Sequence, residues 1–313
     1  MNRRHFLERI GTGALLVGTG NFPLQAFAFD KPEIVRLTIL HTNDVHSRID
    51  PFPMDGSRNQ GLGGVAKRAS LLKQIRAQEK NVLLFDAGDI FQGTPYFNLY
   101  GGELEMKLMS QLGYDAGTIG NHDFDAGIEG LAKQMAHANF PLLTANYDFS
   151  NTVMKGKTQP HKIFTKQGVK IGVFGLGIEL DGLVKKTDYK ETTYLDPLSK
   201  ANETAAFLKK EMRCDYIVCL SHLGYQYSRP NEKNRASDVR LAENSRHIDL
   251  IIGGHTHTFM DKPDIRKNLD GAPCLINQVG FAGILLGRID VLFERTKNSQ
   301  CATCQNIWVG KNL

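Results

Sequence analysis

Short apolar runs and clusters of polar residues alternate along this chain in a fixed order. The runs at residues 35–40, 82–85, 116–119, 141–143, 171–176, 216–220 and 250–252 have the length and the branched or aromatic content of buried strands. Between several of them the apolar period lengthens to about four. Leu104, Leu108 and Leu112 predict a helix over 103–112, and Ala205, Leu208 and Met212 predict one over 201–212. The pair Gly63–Gly64 reads as a loop entering a helix at Val65. After residue 274 the helices stop, and 274–279, 284–293 and 303–309 read as consecutive strands. Alternating strands and helices followed by strands alone predict a layered α/β fold, with mixed β-sheets flanked by helices.

Five of the strand runs end in polar clusters. Residues 35–40 lead into Asp44 and His46, 82–85 into Asp86 and Asp89, and 116–119 into Asn121, His122 and Asp123. Residues 216–220 lead into His222, and 250–252 into His255 and His257. Sites in α/β sheets form beyond the carboxyl ends of strands, so these clusters are expected to converge there. In extended backbone, residues i and i+2 share a side, which lets Asp44 and His46 grip one ion and lets His255 and His257 face the same centre. Carboxylates, an amide oxygen and imidazoles suit hard or borderline divalent metals. Asp44, His46, Asp89, Asn121, His222, His255 and His257 are too many ligands for one catalytic ion with an open position. They suit two ions sharing a carboxylate. Singly, each has a plainer account: a turn residue, a helix cap or a structural histidine. Their joint placement at strand ends argues for metal.

The motifs LHTNDVH, DAGDIFQGTP, GNHDFDAG, SHLGY and GGHTH, in this order from Val35 to Phe293, resemble the calcineurin-like metallophosphoesterases. More narrowly they resemble the catalytic domain of the 5′-nucleotidase and 2′,3′-cyclic-nucleotide phosphodiesterase branch. The resemblance implies a metallophosphoesterase sandwich holding two divalent ions (zinc, manganese or iron). It implies Asp44, His46 and His257 on the first ion, Asn121, His222 and His255 on the second, and Asp89 bridging them. It also implies His122 as the catalytic histidine and Asp125 as its orienting partner. Asp125 has a competing role as cap of the helix that follows. His41 is expected to be a strand-end residue, and Asp86 and Asp123 to stand outside direct metal contact.

The chemistry expected from this resemblance is hydrolysis of a small phosphoester, a nucleotide in the first instance, by a metal-bound hydroxide attacking phosphorus. Alternatives are a cyclic-nucleotide or sugar-nucleotide phosphodiesterase, or a non-catalytic nucleotide-binding subunit. The 5′-nucleotidases of this branch often carry a second domain that stacks the nucleoside base. The chain ends about 20 residues after the last match. The expectation is that a separate chain supplies such a domain, or that the base is not read.

Composition changes this picture at the ends. Arg3 and Arg4, an apolar Gly-rich run over 10–20 and Ala26–Phe27–Ala28 form the layout of a twin-arginine export signal over residues 1–28. Residues 29–313 then form the single catalytic domain, in the periplasm. The apolar run is too short for a stable membrane anchor of roughly 20 residues. Losing three arginines and one glutamate with the signal takes the formal charge from +5 to +3. Without a basic block interleaved with aromatics, nucleic acid is not an expected partner. Cys214 and Cys219 read as core. Cys301 and Cys304, in an oxidising compartment, read as a terminal disulfide or as free thiols.

Overall fold

The structure is a computed structural model that describes residues 34–229, 232, 234–294 and 299–310. The expected export signal lies outside these residues. Among the described residues, no helix is long and apolar enough to cross a membrane.

One sheet holds β1 (Ile34–Thr42), β2 (Val82–Asp86), β3 (Ala116–Gly117), β12 (Leu285–Glu294) and β13 (Ser299–Trp308) in the order β13-β12-β1-β2-β3. The second holds β5 (His161–Lys166), β6 (Val169–Leu176), β8 (Tyr216–Ser221), β9 (Leu250–Gly253), β10 (Asp264–Lys267) and β11 (Pro273–Asn277) in the order β10-β11-β9-β8-β6-β5. A short pair, β4 (Tyr147–Asp148) and β7 (Thr193–Tyr194), stands apart. Strands β1, β2 and β3 run parallel, as do β6, β8, β9 and β11, while β12, β13, β5 and β10 enter antiparallel. Both sheets are therefore mixed.

Alternation along the strands builds the layers. Leu37 and Ile39 of β1, Leu83 and Phe85 of β2, Val218 and Leu220 of β8, and Leu250 and Ile252 of β9 share one buried core between the sheets. Their strand neighbours point outward. Leu40 and Leu84 pack with helices α1 (Val65–Gln78), α3 (Glu103–Leu112) and α4 (Gly127–Gln134). Ile217, Cys219 and Ile251 pack with α6 (Pro197–Lys210) and α7 (Asp238–Glu243). Two further short helices, α2 (Pro95–Tyr100) and α5 (Lys186–Tyr189), complete the set among the described residues.

Several expected elements differ in extent. Helix α6 begins at Pro197, because the Asp196 carboxylate accepts from Ser199 N at 2.7 Å and proline suits the first helical position. Strand β3 is only two residues long. Residues 141–143 form no strand: Leu142 and Leu143 make single bridges to Gly117 and Gln159. Strand β5 escapes the apolar pattern because it is an edge strand with no fully buried residue. Cys301 and Cys304 are free thiols. They are three residues apart on β13, so they point to opposite faces and do not form the disulfide.

Candidate metal centre

The polar clusters do lie beyond the carboxyl ends of β1, β2, β3, β8 and β9. The loops that carry them are not extended. Asp44, His46, Asp89, His255 and His257 have φ of 49°, 50°, 55°, 70° and 51°. Five of the seven candidate ligands thus hold a left-handed backbone that non-glycine residues rarely adopt. This corrects the reason expected for the pairing of i and i+2. Asp44 and His46 converge because both turn left-handed, and His255 and His257 point into different groups. Such backbone persists only where the surroundings fix it. Here the backbone amides of Asp44, His46 and Ser47 donate to the carbonyls of Gly88, Asp89 and Ile90 at 2.9–3.0 Å, zipping the first loop to the second.

The ligand atoms gather in two groups that share one residue. Asp44, His46, Asp89 and His257 form one, and Asp89, His222 and His255 form the other, each with its donor atoms within 4.8 Å of one another. Asn121 joins the second group, its Oδ1 lying 2.9 Å from His255 Nδ1. One nitrogen of the gathered set is without a hydrogen-bond partner: His222 Nδ1–H donates to Ala87 O at 2.7 Å, which turns the buried Nε2 into the centre. It faces Asp89 Oδ2 at 3.2 Å. His46 Nδ1–H donates to Phe91 O at 3.2 Å, and its Nε2 faces His257 Nε2 at 3.0 Å. Carboxylate oxygens and imidazole nitrogens turned toward one another in a largely buried place are stabilised by a cation between them. The protonation balance agrees. Burial opposes charge on His222, yet the Asp89 carboxylate prevails and pushes its imidazole up to about 10. Asp89, also desolvated, is held below the usual carboxylate range chiefly by His222. In both cases the site calls for positive charge at one point. A divalent ion ligated by carboxylate, amide and imidazole fits that donor set.

Beside the first group stands His122. Its ring centroid lies 5.3 Å from that of His46. Its Nδ1–H donates to Asp125 Oδ2 at 2.9 Å, and that bond, opposed by partial burial, raises the imidazole above its ordinary value. Helix α4 is capped at Ala126 without a side-chain bond, so Asp125 serves His122 and does not cap the helix.

The family model for calcineurin-like phosphoesterases matches residues 37–259, which span all of these loops. The chain belongs to this family. Two relatives in it are the 5′-nucleotidase of Vibrio cholerae serotype O1, 37% identical over 263 residues, and the snake venom 5′-nucleotidase of Gloydius brevicauda, 33% identical over 298. These alignments cover 81% and 88% of this chain but 46% and 48% of the relatives. The chain thus spans about half the length of the curated relatives it matches. The solved structure of a 5′-nucleotidase precursor from Thermus thermophilus superposes with a TM-score of 0.78 at 32% identity, over 88% of this chain and 55% of that one. The layered α/β fold with helices on both outer faces is therefore the calcineurin-like phosphoesterase fold.

Three further residues shape this candidate centre: Asp123, expected from the sequence to stand outside direct metal contact, and Gln278 and Asn43, which the sequence did not single out. Asp123, fully buried, accepts four backbone amides: Gly120 N (2.8 Å), Asp89 N (3.1 Å), Ile90 N (2.9 Å) and Phe91 N (3.1 Å). It ties the loop after β2 to the loop after β3. Gln278, also fully buried, clamps the loop after β9. Its Nε2 donates to Gly254 O at 2.6 Å, and its Oε1 accepts from Thr256 Oγ1 at 3.1 Å and from Thr258 N. His255 and His257 lie between those anchors. Asn43 joins the first loop to residues 279–280, donating to Gly280 O at 2.7 Å and accepting from Val279 N at 2.9 Å. Two glycines admit the close approach. A Cβ on Gly120 would press into the Asp89 carboxylate and amide, and one on Gly254 would lie 2.8 Å from Ala87 O and 2.9 Å from His222 Nδ1.

Asp86 is buried behind the centre, accepting from Thr42 Oγ1 at 2.6 Å and Gly88 N at 2.9 Å, and burial pushes it up to about 7. It touches none of the gathered donor atoms. His41 is the second-to-last residue of β1, at the strand end as expected, and fully buried, with Nε2 accepting from Asn277 Nδ2 at 2.8 Å and its ring driven down to about 3 by burial.

Proposed function

We propose that this protein hydrolyses phosphoesters, with nucleoside monophosphates as the leading substrate class, using two divalent ions held in the two groups that share Asp89. The observation that carries the reading is the pair of ligand groups meeting at one carboxylate, with a hydrogen-bonded His122–Asp125 pair at their edge. Asp44, His46 and His257 would hold one ion, Asn121, His222 and His255 the other, and Asp89 both. Bound there, divalent ions supply Lewis acidity to the phosphate and bring the ionisation of water toward neutral pH.

The chain's own residues supply the rest. Ala87 and Phe91 carbonyls fix the tautomers of His222 and His46, so that Nε2 is the free atom of each. Asp125 does the same for His122 by accepting its Nδ1–H. That leaves His122 Nε2 to hold a proton toward the leaving oxygen, and its raised proton affinity keeps it charged further toward neutrality. Asp123 and Gln278 hold the loops still.

The test is turnover of adenosine 5′-monophosphate, a 2′,3′-cyclic nucleotide and a sugar nucleotide by protein reconstituted with zinc, manganese or iron and checked for bound metal. Phosphate release from the monoester is expected. Full metal occupancy without turnover of any of the three would refute the hydrolase reading in favour of a binding subunit. In the same reading residues 1–28 direct export to the periplasm. Replacing Arg3 and Arg4 with lysine should retain the protein in the cytoplasm, and undiminished export would count against the signal.

A further inference from the structure

We infer that Phe52, Phe259 and Phe281 form an aromatic arc at the rim of the metal centre that receives the flat base of a nucleoside phosphate, with Phe259 as the ring that stacks on it. The inference rests on the phosphoester reading and adds a base subsite made by this chain itself. Phe281 lies against the candidate ligand His257, with centroids 5.3 Å apart and planes 17° from parallel. Phe52 and Phe259 meet Phe281 edge-on, at 6.4 Å and 87° and at 5.9 Å and 79°. The arc therefore begins on a residue of the metal centre and runs outward in ring-sized steps.

Occupancy of each ring singles out Phe259. One face of Phe281 is taken by His257, and the other two phenylalanines stand nearly perpendicular against the same ring. Phe52 carries the Arg48 guanidinium over its ring at 4.2 Å. Both rest on the small apolar cluster around Val279 and Ile284. Phe259 lies over Gly280, where any Cβ would collide with its ring, and a backbone bridge to Val279 fixes it there. It is nevertheless 42% exposed. An exposed ring seated on backbone presents one free face, and the favoured partner for that face is another flat π-system in offset stacking. With the phosphate held at the ligands beside Phe281, the group one ring further out in a nucleotide is the base. An aliphatic phosphoester has nothing to place there.

Kinetics of metal-loaded protein test this with adenosine 5′-monophosphate and ribose 5-phosphate, which share the phosphate and sugar and differ in the base. For Phe259→Ala, the ratio of kcat/KM for the nucleotide over the sugar phosphate should fall roughly 10-fold or more, the scale of losing one base–aromatic stack. Phe259→Leu keeps apolar bulk without the ring and should lose most of the same ratio. An unchanged ratio in both variants overturns the arc while leaving the hydrolase reading intact. Binding of adenosine, followed by calorimetry, reads the arc without turnover. Adenosine bound by the parent and lost in Phe259→Ala supports the arc even if neither phosphoester is hydrolysed, and that combination would overturn the hydrolase reading alone. Adenosine binding unaffected in both variants refutes the arc.

Discussion

Asp89 and His122 are joined by a 2.8 Å bond from the His122 amide to Asp89 Oδ1, yet their side chains face different tasks. Asp89→Asn removes the charge both groups share, so metal content and turnover should fall together when measured on the same sample. His122→Ala leaves every gathered donor atom in place. It should keep its metal and lose roughly 10²–10⁴-fold in kcat, the usual scale for a proton-transfer group. A variant with a normal rate would remove His122 from the chemistry. Gln278→Ala frees the loop bearing His255 and His257, and metal affinity by competitive chelator titration should weaken roughly 10–100-fold, the scale for residues that orient ligands. The candidate ligands were legible because each is a polar residue ending an apolar run. Asp123 was placed outside direct metal contact, but its bonds to four main-chain amides were hidden, and Gln278 was not singled out at all. Main-chain amides and carbonyls carry no residue identity, and Gln278 reaches a loop 20 or more residues away. The left-handed backbone at five ligands was equally hidden, since it falls on Asp and His and not on glycine, the residue that ordinarily signals it.

At the scale of elements, β1, β2, β6, β8 and β9 were legible because both of their faces are largely buried and each is built around branched or aromatic apolar residues. Strands β5 and β10 lie at sheet edges with alternating or partial burial, and their composition resembles loop. Just before β9, Asp249 knits β8 and β13 across the gap between sheets. Its carboxylate accepts from Ile217 N at 2.8 Å and from Gln300 Nε2 at 2.7 Å. Burial nevertheless raises its carboxyl to about 6, against roughly 3.9 in an unfolded chain. The folded state thus binds this proton more tightly. The stability Asp249 contributes is fully present below pH ~4 and is lost as pH rises through 6. Asp249→Asn should flatten the fall in Tm between pH 4 and 7 relative to the parent. Parallel Tm profiles for the two proteins would show that Asp249 does not take part.

Over the whole molecule, the centre is a joint. Asp44, His46, Asp89 and Asn121 come from loops of one sheet, and His222, His255 and His257 from loops of the other. Ions that bind both sets cross-link the layers. Chelation should therefore lower Tm by about 10 °C if the ions are present at ~1,000-fold over their Kd. Calorimetry before and after re-addition of metal checks this, and an unchanged Tm would mean the sheets hold without it.

The pairing of β1 with β12 has a consequence in time. Ile34 faces Glu294, and Thr38 Oγ1 donates to Asp290 across 252 residues of sequence. During synthesis β1 emerges among the first strands and must wait, one edge unsatisfied, until nearly the last has been made. The nascent chain therefore spends most of translation with an open strand edge, the kind that pairs wrongly with neighbouring chains. Its yield in a cell should depend on chaperones that cover such edges, far more than its finished stability would suggest.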